Sequence, residues 1–279
     1  MNEYLSLMLS LVREGGEIAL ELIERSRPEL KSDNSVITEA DRRISVLAHQ
    51  KLAGYLASGQ HLLIDEEDPR RGEHLEAAFQ DRVPLVWSLD PVDGTRIYAN
   101  HMPHYGISIG LLKERRPWLG AVFFPSLDEL FYCDGTEAFF VRHPFTTSEA
   151  RTRIVPVDEA ISSRSLMIVT DELPRFFEWH STDCRLLVMS AAVCEFCWPT
   201  IGRGCGSLSR VHLWDMAGSW PIVEKAGLRL FSIDTGEPLE RLDAETFEKS
   251  CRLKGYHILS SPRNFPILKT KLVIKGDAA

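Results

Sequence analysis

No stretch of this chain is apolar for long enough to span a bilayer. No secretory leader is expected either: Glu3, Arg13, Glu14 and Glu17 interrupt the N-terminal segment, and no apolar block leads to a small-residue cleavage site. Basic charge is not in excess. With 32 Lys and Arg against 40 Asp and Glu, the formal net charge is −8. That argues against a nucleic-acid polymer as partner, because such binding rests on neutralising phosphates. Cysteines are few, six in 279 residues, and a chain of this size buries a core without disulfide staples. Reduced thiols, a cytoplasmic location and no membrane partner are therefore expected. Repeats, linkers and low-complexity segments are also missing. One compact unit in two parts is expected: 1–145 as an α+β half and 146–279 as an α/β half.

What is present reads as alternating elements. Leu5, Met8, Leu9, Val12, Ala19, Leu22 and Ile23 recur at helical spacing, with Gly15-Gly16 as a weak point. Lys31 to Ser35 is a polar loop. Thr38 caps a second helix with Asp41 in its first turn and Ile44, Leu47, Ala48 and Leu52 on its apolar face. Strands are predicted at 61–64 and 83–89, then at 106–112, 119–124, 129–133 and 138–141, where Asp134-Gly135 signals a hairpin. The second half alternates strands at 165–170, 185–188 and 256–260 with helices at 190–198 and 215–226. The tail from Phe265 carries no pattern.

Cys194-x-x-Cys197, with Cys205 and His212 downstream, admits a zinc reading. In an apolar helix the two thiols fall on one face, and packing is the expected role.

The densest chemistry lies in Asp90-Pro91-Val92-Asp93-Gly94-Thr95, after the apolar run 83–89. Two carboxylates and a free carbonyl in one bend suit Mg²⁺, a hard cation that shares substrate phosphate oxygens. Gly94 lets the backbone approach an anion, and Thr95 can open a helix whose N–H groups face a phosphate. Asp-Pro and Asp-Gly are also ordinary turn dipeptides. The spacing excludes an EF-hand, and Asp134-Gly135-Thr136, with no acid three residues earlier, is a turn only. Glu66 and Glu67 close the preceding strand. Asp215 opens an apolar helix, where it is either an N-cap or an acid near a positive dipole.

Four blocks in this order resemble the inositol monophosphatase superfamily of Mg²⁺-dependent, lithium-sensitive phosphatases. They are Lys31…Val36-Ile37-Thr38-Glu39-Ala40-Asp41, Ile64-Asp65-Glu66-Glu67, Trp87 through Thr95, and Trp214-Asp215-Met216-Ala217-Gly218. Tyr105 to Leu111 and Gly120 to Pro125 fit as well, so the resemblance runs from Lys31 to Gly227. It implies a layered αβαβα sandwich of the sugar-phosphatase type, and often a homodimer. It implies Glu66, Asp90, the Val92 carbonyl, Asp93 and Asp215 as ligands of two or three Mg²⁺. Glu66, Asp41 and Thr95 would serve catalysis, the last two by orienting water. Asp93, Gly94, Thr95, Ser190 and Asp215 would contact a small phosphorylated substrate.

Inositol phosphate is the leading substrate that the resemblance implies. The alternatives are a 3′(2′),5′-bisphosphate, for which Glu66 to Pro69 is the similar stretch, histidinol phosphate or a sugar bisphosphate. A silent phosphate-ligand binding protein is the rival from another class. Three departures stand out. Asp65 replaces the usual glycine before the Glu pair, and Met189 replaces a small residue. The segment Ser207 to His212 lacks the acid that inositol phosphatases use towards the polyol, so Arg210 or His212 would favour an anionic substrate unless the segment is a solvated loop.

Overall fold

The computed structural model describes residues 2–31, 35–80 and 83–275. Most of the predicted polar loop after Lys31 lies outside the described residues. Among the described residues two large β-sheets alternate with three helical layers, which is the αβαβα sandwich expected from the resemblance, and two small two-stranded sheets lie beside them. The larger sheet has seven strands in sequence order, from His61–Asp65 through Leu85–Asp93, Gly106–Lys113 and Arg116–Phe124 to Ala150–Arg153. Only its first pair is parallel. The smaller sheet orders Cys184–Val188, Ser165–Val169, Gly206–Ser209, His257–Ser260 and Arg229–Ser232, the first three mutually parallel.

Strand alternation builds the layers. Ile107, Ile109 and Leu111 point to one face of the large sheet, where helices Glu3–Leu22 and Glu39–Leu56 cover them. Val86, Leu112, Val122 and Phe124 point to the other. There they pack with Ala192–Cys197, Leu213–Ala217 and Trp220–Lys225, the helices sandwiched between the sheets. Leu173 and Leu268, from helices Leu173–Phe176 and Phe265–Lys271, cover the outer face of the small sheet. Strands buried on both faces explain the long apolar runs in the sequence.

Several elements differ from the sequence expectations. The first helix runs through Gly15-Gly16 without a break. A side chain on Gly16 would meet Phe123 at 2.4 Å, so the glycines serve close packing. The predicted 215–226 helix is two short helices separated at Gly218-Ser219, with Pro221 in the first turn of the second. The tail, without pattern in the sequence, carries the helix Phe265–Lys271 and the strand Leu272–Ile274, which pairs antiparallel with Phe177–Trp179. The segment considered as a solvated loop begins as the strand Gly206–Ser209, whose four residues are buried. Among the described residues no helix is long and apolar enough to cross a membrane.

Candidate active site

Strands His61–Asp65 and Leu85–Asp93 run parallel and end at the same pole of the large sheet. The Glu66 N–H still donates to Leu89 O at 3.2 Å, so Glu66 leaves the sheet beside Asp90. Register against Gly106–Lys113 slips between Asp90 and Asp93. Such a bulge re-aims side chains at a sheet's end. Gly94 follows with φ +85°, and a Cβ there would lie 2.9 Å from the Ala191 Cβ. Both the left-handed turn and the tight packing require glycine.

Asp215 arrives from the second half. It sits in the first turn of Leu213–Ala217, its carboxylate accepting the His212 N–H at 2.7 Å. The small residues of the W-D-x-A-G block have a geometric purpose. A Cβ on Gly218 would stand 2.4 Å from Ser108 Oγ, and one on Gly110 would stand 2.3 Å from Ala217 O. The helix therefore lies directly on the strand Gly106–Lys113. This contact brings carboxylate oxygens of Asp90, Asp93 and Asp215 within 4.8 Å of one another.

Asp90 and Asp93 are 2% and 3% exposed, yet Asp90 Oδ1 and Asp93 Oδ1 have no hydrogen-bond partner. The other Asp93 oxygen accepts the Val193 N–H at 3.1 Å. Burial raises both carboxyls well above their ordinary range, and neighbouring acids add to the rise. Oxygen-only donors, two of them buried and unpartnered, fit a hard divalent cation. Glu66 lies outside this tight trio but acts on it electrostatically. Burial lifts its carboxyl to about 8, Lys31 opposing and Glu67, Asp215 and Asp41 adding.

Lys31 Nζ donates to Glu66 Oε1 at 3.1 Å and Glu67 Oε1 at 2.7 Å. Burial works against its charge, but the two glutamates hold its pKa above the ordinary value. The unexpected Asp65 has a role in the same turn. It is fully buried, accepts the Glu67 N–H at 3.0 Å and the Ser45 hydroxyl, and pairs with His49 at 3.2 Å. It pins the turn that presents Glu66.

Asp41 is fully buried in the first turn of Glu39–Leu56. Its Oδ2 accepts the Thr38 N–H at 2.8 Å and the Thr38 hydroxyl at 2.5 Å. Its Oδ1 faces the Thr95 hydroxyl at 3.3 Å, which also lies 2.9 Å from Val92 O. Burial pushes the Asp41 carboxyl up to about 6, against the pull of the Thr38 donors and Lys31. Thr95, Gly94, Asp93, Glu66, Asp215 and Ser190 all line one cleft of about 330 Å³. Ser190 enters it with φ +52°. Asp90, Val92 and Asp41 lie behind that lining.

Cleft residues outside the matching blocks include Glu195, Arg96, Arg210 and Arg252. Arg96 is exposed and lies 3.9 Å from the exposed Asp171, whereas the other two arginines are engaged. Arg210 bonds Glu248 and, at 3.0 Å, Leu253 O, while Arg252 bonds Glu172 at 2.8 Å. His212 stacks on Trp214 with ring centroids 4.5 Å apart. Cys194 and Cys197 are buried in the apolar layer between the sheets, and Cys205 approaches Cys184 at 3.5 Å instead.

By its matches to known proteins the chain is a phosphoric monoester hydrolase. More narrowly, the chain belongs to the inositol monophosphatase family, whose model matches residues 1–261. It is 27% identical over 238 residues to "Inositol monophosphatase 3" of Solanum lycopersicum, covering 81% of this chain and 85% of that protein. It is 30% identical over 240 residues to "Histidinol-phosphatase" of Chlorobaculum parvum, again with 81% and 85% covered. Among solved structures, an IMPase/NADP phosphatase complexed with Mg²⁺ and phosphate superposes with TM-score 0.73 at 16% identity, covering 95% of this chain and 93% of that one.

Proposed function

We propose that the protein hydrolyses a small phosphate monoester with the help of Mg²⁺, with an inositol phosphate as the leading candidate. The observation that carries this reading is the approach of Asp90, Asp93 and Asp215 within 4.8 Å, with two buried oxygens unpartnered. These three, with Glu66 and the Val92 carbonyl, would hold two or three cations. Bound there, the cations would neutralise charge on the phosphoryl group and leaving oxygen and lower the pKa of the attacking water.

The protein's own residues position the reactants. Thr38 occupies one Asp41 oxygen and leaves Oδ1 for the Thr95 hydroxyl, so the pair can orient a water and hold its proton at Asp41 Oδ1. Gly94 and Thr95 would present backbone N–H groups to the phosphate, and Ser190 would contact the ester. No covalent phosphoenzyme is required.

Arg210 and Arg252 are engaged by Glu248 and Glu172, and Arg96, paired with Asp171 at 3.9 Å, is the most exposed rim cation for a second phosphate, so a bisphosphate is the alternative substrate. A phosphate-release panel of inositol phosphate, adenosine 3′,5′-bisphosphate, histidinol phosphate and fructose 1,6-bisphosphate tests this order. Magnesium-dependent release from at least one is expected, and none from any would leave a silent binding protein. Millimolar lithium should inhibit the release, and full activity in its presence would refute that part of the resemblance.

A further inference from the structure

The cleft contains a buried acid that the phosphate-hydrolysing machinery does not use. Glu195 lies on Ala192–Cys197, the helix whose Val193 N–H reaches Asp93. It lines the cleft with Ser190 and Arg210 and is 3% exposed. Its Oε2 has no hydrogen-bond partner, and among the described residues it forms no ion pair. Burial pushes its carboxyl up to about 8, with the Asp215 charge adding. The Ser209 hydroxyl lies near enough to offset part of that rise, although neither Ser209 Oγ nor Glu195 Oε2 completes a hydrogen bond. An acid left in this state costs stability. Removing such groups is an easy stabilising change, so the arrangement points to a use.

Two alternatives fit less well. Unlike Glu66, whose N–H is held by Leu89 O beside Asp90, Glu195 comes from the helix between the sheets and stands outside the group of carboxylates within 4.8 Å of one another, so it is not placed in that cluster. The nearby cations are also bound elsewhere, Arg210 by Glu248 and Arg252 by Glu172. Among the described residues no cation pairs with Glu195, so its wall offers acceptor capacity, while Arg96 lines the same cleft beside Asp171. We propose that Glu195 is a specificity-determining residue. It selects monoesters whose non-phosphate half presents a hydrogen-bond donor, a hydroxyl of a polyol or an ammonium of an amino alcohol. The proposal rests on the phosphatase reading above.

The test uses the full chain with Mg²⁺, comparing wild type, E195Q and E195A by phosphate release. The esters are inositol 1-phosphate, with hydroxyls only, histidinol phosphate, with an ammonium, and p-nitrophenyl phosphate, with neither. For a donor-bearing ester, kcat/KM relative to p-nitrophenyl phosphate should fall about tenfold in E195A, mainly through KM, as for a lost hydrogen bond, and less in E195Q, which keeps an acceptor oxygen. A fall confined to histidinol phosphate assigns the ammonium. A fall on inositol phosphate assigns the hydroxyl. Thermal melts at least as high as wild type are expected for E195Q. Equal losses on all three esters, a raised Mg²⁺ requirement that accounts for the loss, or an unchanged ratio would overturn the proposal. If wild type releases phosphate from none of them, the phosphatase reading itself fails, and the wild-type arm alone reveals it.

Discussion

Asp93→Asn separates the energetics of the site from those of the fold. Asparagine keeps an oxygen for the Val193 N–H and removes one of three charges within 4.8 Å of one another. At that distance and an effective dielectric of about 20, each fully ionised pair repels by about 3 kcal/mol. Protonation of the buried acids relieves much of this without metal, so a net gain of about 1–2 kcal/mol is the reasonable expectation for the variant. That corresponds to a melting point about 2–6 °C higher in EDTA. Saturating Mg²⁺ reverses the order. A cation at a hundred times its dissociation constant adds about 2.7 kcal/mol to the wild type. The variant, short of a ligand, gains little. Turnover should drop about 10²–10³-fold, as when one preorganised stabilising group is removed. Melting curves with EDTA and with Mg²⁺, together with phosphate release, measure all three. A variant less stable than wild type in EDTA would show that the carboxylate supports the fold. Normal turnover at saturating Mg²⁺ would refute the metal-ligand assignment outright.

Asp41→Asn should lower turnover about 10²–10⁴-fold at unchanged Mg²⁺ affinity, read from phosphate release across a Mg²⁺ titration. A shift confined to Mg²⁺ affinity would make Asp41 a metal residue instead. Gly218→Val places a side chain where Ser108 Oγ and the Ile109 backbone already sit, so it should cost about 3 kcal/mol or more by urea denaturation and should reduce turnover through displaced Asp215. His49 is held above its ordinary pKa by its bond to Asp65, against the effect of burial. Its stabilising contribution is thus complete below about pH 6.5 and disappears as pH rises through the elevated value. The melting difference between wild type and His49→Gln should shrink from about pH 6 to about pH 9, and a difference that grows would invert the assignment.

The grouping of Asp90, Asp93 and Asp215 is legible in the sequence because these acids fall in short, contiguous blocks. Asp90 to Thr95 needs one bulge and one left-handed glycine, and both leave a mark in six residues. The two long apolar helices were equally legible from periodicity. Less visible were contacts made by chain segments far apart. Lys31 stood in a matching block, but its bonds to Glu66 and Glu67 span 35 and 36 residues. The strand Gly206–Ser209 contains one apolar residue among glycine and serines, a composition with low strand propensity, and its neighbours in the sheet enforce it. The 215–226 helix seemed continuous because its apolar periodicity carries across Gly218. Close packing of Gly218 on the strand beneath, and Pro221 after it, split the helix.

Glu195 was invisible for a different reason, and that reason bears on how selectivity is built. A glutamate in an apolar helix has no local signature of what it faces, and only the packing of Ala192–Cys197 between the sheets turns it into the cleft. The same helix fixes Asp93 through the Val193 N–H, two residues before Glu195. On the proposed reading, substrate selection and the acid cluster share one helix. A leaving group large enough to push Glu195 outward would also draw the Val193 N–H away from Asp93, and the acid cluster would lose its only hydrogen bond to that carboxylate among the described residues. A monoester that satisfies Glu195 without displacing it keeps the cluster in place. Discrimination on this wall should for that reason affect kcat as well as KM for oversized esters, while esters that fit but lack a donor lose affinity alone.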